Sequence, residues 1–259
     1  MRWSDLTTED FAALAGGNAV AVLPVGATEQ HGPHLPLGTD TMICEALTVR
    51  AAGLAPEAVR VLLLPAMPVG LSPEHGDFPG TLTFSPATVI AAWTELGEAV
   101  ARAGIRRLVV VNTHGGQPQA VDIVTQDLRS RLGMACWRVN AYRWFRDPEH
   151  FPADVFPDDI HGGGIETSIM LHLWPDLVRM DQARNFMVAG ETGSGDRATG
   201  RAWQMQELNP AGAAGNAAAA DAARGRAVFE AAAGALARVF AEAAEAAVPG
   251  LPRESRDTL

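Results

Sequence analysis

Four short, almost wholly apolar runs, each followed by a longer amphipathic stretch, leave this chain few folds to choose from. The runs cover residues 19–25, 61–64, 108–111 and, more weakly, 135–139. Strands this continuously hydrophobic fit a sheet covered on both faces, and their alternation with helical patterns signals βα units and a mainly parallel sheet. Helices are expected at about 40–54, 86–103 and 117–132. Ser85-Pro86 supplies an N-cap followed by proline at the first helical position, which specifies the second of these starts. Gly104 and Gly133 fall where helix ends favour a left-handed residue. Residues 179–216 read as an irregular loop. Residues 217–248 read as an Ala-rich helix, with breaks expected near Gly225 or Gly234 and an apolar stripe of Val228, Phe229, Leu236, Val239 and Phe240. At 259 residues the chain reads as one domain.

Composition removes several kinds of chemistry. All 20 basic residues are arginine, so a Schiff base, a lysine general base and a P-loop are excluded. The net charge of −10 argues against nucleic acid, whose phosphates need clustered cations. No run is long and apolar enough to span a membrane. The first six residues have neither a basic nor an apolar signal region, so a cytoplasmic location is expected. Cys44 and Cys136 lie far apart without metal-ligand spacing and read as buried thiols.

The informative polar residues follow the strands, where open α/β sheets bind ligands. After the first run comes Thr28-Glu29-Gln30-His31-Gly32-Pro33-His34-Leu35-Pro36, closed by Thr39-Asp40. Glu29 and His31 are two apart and point the same way in extended chain, and a carboxylate beside an imidazole suits a borderline divalent cation. A polar loop capping its own turns is the plainer alternative. After the third run comes Asn112-Thr113-His114-Gly115-Gly116, whose histidine reads equally as a structural hydrogen-bonder or a ligand. After the fourth comes Asp158-Asp159-Ile160-His161-Gly162-Gly163-Gly164-Ile165-Glu166-Thr167-Ser168. Here Glu166 falls in the first turn of a helix, as a ligand or a helix-dipole carboxylate, and His161 sits ahead of it on a flexible glycine segment.

Together these three motifs, in this order over about residues 18–180, resemble the creatininase (creatinine amidohydrolase) family. The resemblance implies a three-layer α/β/α sandwich, assembled as a homo-oligomer, often a hexamer, around a dinuclear metal centre that hydrolyses amides. Zinc is the metal it implies, with manganese or iron as replacements. It further implies that Glu29 and His31 each hold one metal, that Asp40 bridges both, that His114 completes the first site and that His161 moves a proton. One departure stands out. The family's type enzyme has a metal-binding glutamate two residues after the histidine matching His114, and this chain has Gly116 there. Glu166 is then the candidate to complete the second site.

The chemistry follows from two ions about 3.5–4 Å apart lowering the pKa of a shared water toward neutrality, giving hydroxide. The leaving nitrogen must be protonated, and His161 titrates in the right range to be that donor; orienting a ligand is its other reading. The expected substrate is a small amide, cyclic ones included. The double glycine is similar to relatives acting on other amides, so maturation of a peptide, as in mycofactocin-precursor hydrolases, is the alternative. A non-catalytic metal-binding scaffold is a third reading, and it predicts missing ligands. His34 reads as support for the first cluster. His75 reads as a substrate contact or a turn residue, and His150 as pocket lining or packing. Glu74 and Asp77 read as solvated, and residues 190–200 as a mobile loop or lid.

Overall fold

The computed structural model describes residues 1–156, 158–189 and 200–248, so residues 190–199 of the expected lid lie outside the described residues. The four apolar runs form strands β1 (Val20–Val25), β2 (Val61–Leu63), β3 (Arg107–Asn112) and β4 (Ala135–Asn140). All pair in parallel in the order β2-β1-β3-β4. Three helices follow them: α2 (Thr39–Leu54), α3 (Pro86–Arg102) and α4 (Pro118–Leu132). A first helix, α1 (Thr8–Leu14), precedes β1 and was not anticipated; a Thr7–Asp10 capping box starts it. Next come α5 (Gly164–Leu173), the two-residue strand β5 (Asn185–Phe186), the single turn α6 (Met205–Leu208), β6 (Gly215–Asn216) pairing antiparallel with β5, and α7 (Ala222–Glu245).

Because side chains alternate along a strand, each sheet face carries its own core. Val20, Val22, Val109 and Val111 point toward α2, α5 and α7, where Leu47, Ile169, Leu236 and Phe240 cover them. Ala21, Leu23, Leu108 and Val110 point the other way, toward α1, α3 and α4, where Trp93, Val121 and Leu128 close the layer. Each large apolar side chain so buried contributes roughly 1.5–3 kcal/mol. The result is the expected three-layer sandwich.

One expectation fails. Helix α7 runs unbroken through Gly225 and Gly234. Gly225 is where α7 crosses α5, and a Cβ there would collide with the Ser168 carbonyl. Its glycine serves close packing between helices and does not end one. Residues 217–219 form a separate short turn before Asp221 caps α7. Both cysteines are free, and burial pushes each thiol up to about 12.

Helix α2 leaves β1 toward β2, while α4 leaves β3 toward β4 on the opposite face. The two central strands therefore part company at their carboxyl ends, the crevice where such sheets bind ligands. Glu29 and His114 both follow those ends.

Candidate metal centre

The sharp exit from β1 and the start of α2 bring Glu29, His31 and Asp40 to one place, and all three are buried. The exit from β3 is held by Asn112, whose amide donates to the His114 and Asn140 oxygens and whose oxygen accepts from the His114 backbone N–H and the Gln117 amide. His114 is thereby fixed with Nδ1 3.2 Å from Glu29 Oε1 and 3.3 Å from Asp40 Oδ2. From α5, Glu166 brings Oε2 to 4.0 Å from His31 Nε2, which lies 3.8 Å from Asp40 Oδ2. His161 Nδ1 stands 3.6 Å from Glu29 Oε1.

Three triads among these residues have donor atoms within 4.8 Å of one another: Glu29/Asp40/His114, His31/Asp40/Glu166 and Glu29/His31/His161. Asp40 is common to the first two, as a bridging carboxylate would be. The residues fit a metal on a second ground. Both Glu29 oxygens, His31 Nε2 and Asp40 Oδ2 are buried without a hydrogen-bond partner, which native proteins rarely tolerate unless an ion satisfies them.

Hydrogen bonding also orients the rings. His31 Nδ1 lies 3.0 Å from the Glu29 carbonyl, His114 Nε2 3.0 Å from the Leu71 carbonyl, and His161 Nε2 2.6 Å from the Gln30 carbonyl. A carbonyl only accepts, so each of these nitrogens donates its proton. The other nitrogen of each ring faces the cluster, where it can offer a lone pair to a cation, the arrangement that carbonyls behind metal-binding histidines give.

The electrostatics are those of a cation site. Burial alone would raise Glu29, but His114, His75 and His161 hold it well below the usual carboxylate range. Burial would lower His31, yet Asp40 and Glu166 push it up to about 9. His114 is likewise raised against its burial, by Glu29 and Asp40. Burial lifts Glu166 to about 7, with His31 opposing. His161 goes the other way: burial, with His31 and His75 alongside, holds it well below the ordinary histidine range.

Several sequence expectations change. His161 is not on a flexible segment. Its backbone pairs with Ala214, accepting at 2.7 Å and donating at 3.2 Å. The glycines after it answer to crowding, since a Cβ at Gly163 would meet the Asp159 carboxylate and one at Gly164 the Phe156 ring. The two readings of Glu166 are geometrically compatible. It accepts the Gly162 N–H at 2.6 Å at the head of α5 and reaches the cluster. Glu74 is mostly buried at 3.6 Å from His114 Nε2 and lines the cavity, while Asp77 stays at the surface as an acceptor for Gln206. Any side chain at Gly116 would strike the Glu74 carboxylate. His75 is buried against Glu29 at 3.4 Å, and burial holds it down to about 4. His34 supports α5 through Thr167 at 2.9 Å. His150 pairs with Asp147 and does not line the cavity.

The cluster forms the floor of a half-open cavity of about 650 Å³. Its walls carry Gln119 from α4, Tyr142, Phe145 and Arg146 after β4, and Trp203 and Gln204 before α6. Among the described residues no helix is long and apolar enough to cross a membrane.

A family model described as creatinine amidohydrolase matches residues 4–240. The mycofactocin precursor peptide peptidase of Mycolicibacterium smegmatis is 35% identical over 191 residues, 73% of this chain and 70% of that one. The creatinine amidohydrolase of Pseudomonas putida is 32% identical over 196 residues, 69% of this chain and 74% of the relative. A solved structure described as "Creatininase Mn" is 26% identical, covers 95% of this chain and 99% of its own, and superposes with a TM-score of 0.77. Motif, architecture and sequence identity thus agree, and the chain belongs to the creatininase family.

Proposed function

We propose that this protein hydrolyses a C–N amide bond of a small substrate with divalent metal held by Glu29, His31, Asp40, His114 and Glu166. The observation that carries the reading is the convergence of imidazole nitrogens on buried carboxylate oxygens that have no hydrogen-bond partner. Nitrogen and carboxylate donors suit zinc first, with manganese or iron as replacements. The shared Asp40 favours two ions per chain. Metal bound there supplies an activated water and a polarised carbonyl. The chain's own residues do the rest. His161, neutral and with its Nδ1 lone pair facing the cluster, accepts the proton that the attacking water loses. It then delivers that proton to the nitrogen as the C–N bond breaks, so that an amine departs and not an amide anion. Tyr142, Phe145, Arg146 and Trp203 orient the substrate over the floor. Assembly as a homo-oligomer, a hexamer in the family's manner, belongs to the same reading and is checked by light scattering.

The substrate can be a cyclic amide or a peptide bond. Two observations favour the peptide: a cavity in the size range of larger ligands, and relatives named for peptide processing at 33–35% identity. The deciding experiment measures metal per chain in the native protein and in Glu166→Ala, and assays both against creatinine, other cyclic and linear amides, and short peptides. Two metals falling to one in the variant is the expected result. One metal in both proteins would remove Glu166 from the ligand set, and a fully loaded protein inert on every amide would refute the hydrolase reading.

A further inference from the structure

His75 differs from the other histidines at the floor. His31, His114 and His161 each donate to a carbonyl and show the cluster a lone pair. His75 has no carbonyl partner. Its Nδ1 lies 2.7 Å from the Gln30 amide nitrogen.

The direction of that bond follows from the far end of the Gln30 side chain. Gln30 Oε1 lies 3.0 Å from the backbone nitrogen of Gly32. A backbone N–H only donates, so the amide oxygen must be at that end and the NH2 group at the other. The lack of a Cβ at Gly212 leaves room for this oxygen. The NH2 group in turn only donates, so His75 Nδ1 accepts. A neutral ring that accepts at Nδ1 carries its proton on Nε2, and Nε2 is the atom 3.4 Å from Glu29 Oε1.

Gln30 also acts through its main chain, because its carbonyl takes the His161 Nε2 proton at 2.6 Å. The amide nitrogen lies 3.4 Å from the same His161 atom. Had that nitrogen been the donor, a lone pair would face the carbonyl oxygen at 2.6 Å, so the shorter contact decides. The His75 and His161 rings lie with centroids 4.1 Å apart, tilted by 32° to one another. One therefore turns a protonated nitrogen toward Glu29 at 3.4 Å and the other a lone pair at 3.6 Å, and neither is hydrogen-bonded to it.

We infer that Gln30 is a positioning residue that sets the tautomers of both histidines: its side chain leaves His75 protonated on the Nε2 that faces Glu29, and its carbonyl makes His161 a proton acceptor at Nδ1. His75 then steadies the Glu29 carboxylate and is excluded as a ligand through Nε2, while His161 enters the reaction empty and must collect its proton before giving one. The inference rests on the hydrolase reading only for that last step; the tautomers themselves can be read without turnover.

The test is long-range 1H–15N correlation of the imidazoles in full-length, 15N-labelled protein loaded with zinc alone, the His75 signals being assigned by their loss in His75→Gln. The expected wild-type spectrum has His75 and His161 both protonated at Nε2. In Gln30→Glu a carboxylate oxygen faces His75 Nδ1, so that ring's proton should move to Nδ1. Zinc retention against a chelator should then drop about tenfold or more, as changes just outside a metal's ligands commonly cause. His75→Gln, which keeps a donor toward Glu29, should hold zinc better than His75→Leu. Wild-type His75 protonated at Nδ1, or a Gln30→Glu spectrum with His75 unchanged, would overturn the inference. The wild-type spectrum decides even if the variant fails to fold. Protein that takes up no zinc but shows the expected tautomers would refute the metal reading and leave the Gln30 assignment standing.

Discussion

Gly116 and Glu74 are a coupled pair across the cavity floor. Glu74 fills the space that a side chain at 116 would need, and a Cβ there would also press on His114 Nε2 at 2.5 Å. Gly116→Ala is therefore expected to cost about 1–3 kcal/mol, as overpacking does, and to weaken zinc retention through His114. Adding Glu74→Ala should recover part of the stability, because it removes one of the two collisions. Thermal unfolding of the single and double variants, zinc-loaded and chelated, measures both effects; a double variant no better than Gly116→Ala would show that only His114 matters. The residues whose donors converge were legible in the sequence because, His161 apart, each closely follows a strand or opens a helix. Glu74 and the role of Gln30 were not. Gln30 falls between Glu29 and His31, where alternation points it away, and its partner His75 lies 45 residues on. No local spacing encodes such a contact.

Among the elements, α5 and its surroundings place Glu166. Gly225→Ala would drive a methyl group into the α5 backbone at Ser168 and Ile169, so it should destabilise by about 1–3 kcal/mol or more and reduce metal content by shifting Glu166. Gly234 on the same helix has open space, its nearest neighbour being the Arg238 guanidinium at 3.8 Å. Gly234→Ala should stabilise by about 0.5–1 kcal/mol. Urea unfolding of the two variants separates crowding from helix propensity, and equal effects would contradict the crossing described here. The start of α5 carries a pH dependence. Asp159 accepts the Gly164 N–H at 2.6 Å, and burial pushes its carboxyl up to about 6 against that bond and Arg146. The folded state thus keeps this proton to higher pH than the unfolded chain does. Its contribution is full below about pH 4 and is lost as pH rises through 6, by at most about 3 kcal/mol. Unfolding at pH 4 and pH 7 should show wild type losing stability relative to Asp159→Asn by up to that amount, and a difference that does not vary with pH would be inconsistent with it. Sequence periodicity found every strand of the main sheet within a residue or two, because buried strands are uninterrupted in hydrophobicity; β4, whose Arg138 is exposed at the sheet edge, is the weakest of the four signals. It misread α7, since a glycine that admits a neighbouring helix looks the same in sequence as one that ends its own.

The whole molecule keeps its two cores apart from its chemistry. Both lie between sheet and helices, while the donor cluster sits beyond the strand ends. Chelation should therefore lower the unfolding temperature, by the equivalent of about 4 kcal/mol when free metal had stood at a thousand times its dissociation constant. Far-UV circular dichroism should stay essentially unchanged; loss of helical signal on chelation would mean that the ion holds α5 in place. The packing of α7 across α5 and α2 has a further consequence during synthesis. Glu29, Asp40 and His114 leave the ribosome long before Glu166, and α5 gains its seat against α7 only when residues 222–245 have followed. A growing chain can assemble the Glu29/Asp40/His114 triad early. The His31/Asp40/Glu166 triad comes together only once α7 has followed, so any ion that needs Glu166 must be taken up later than one held by the first triad.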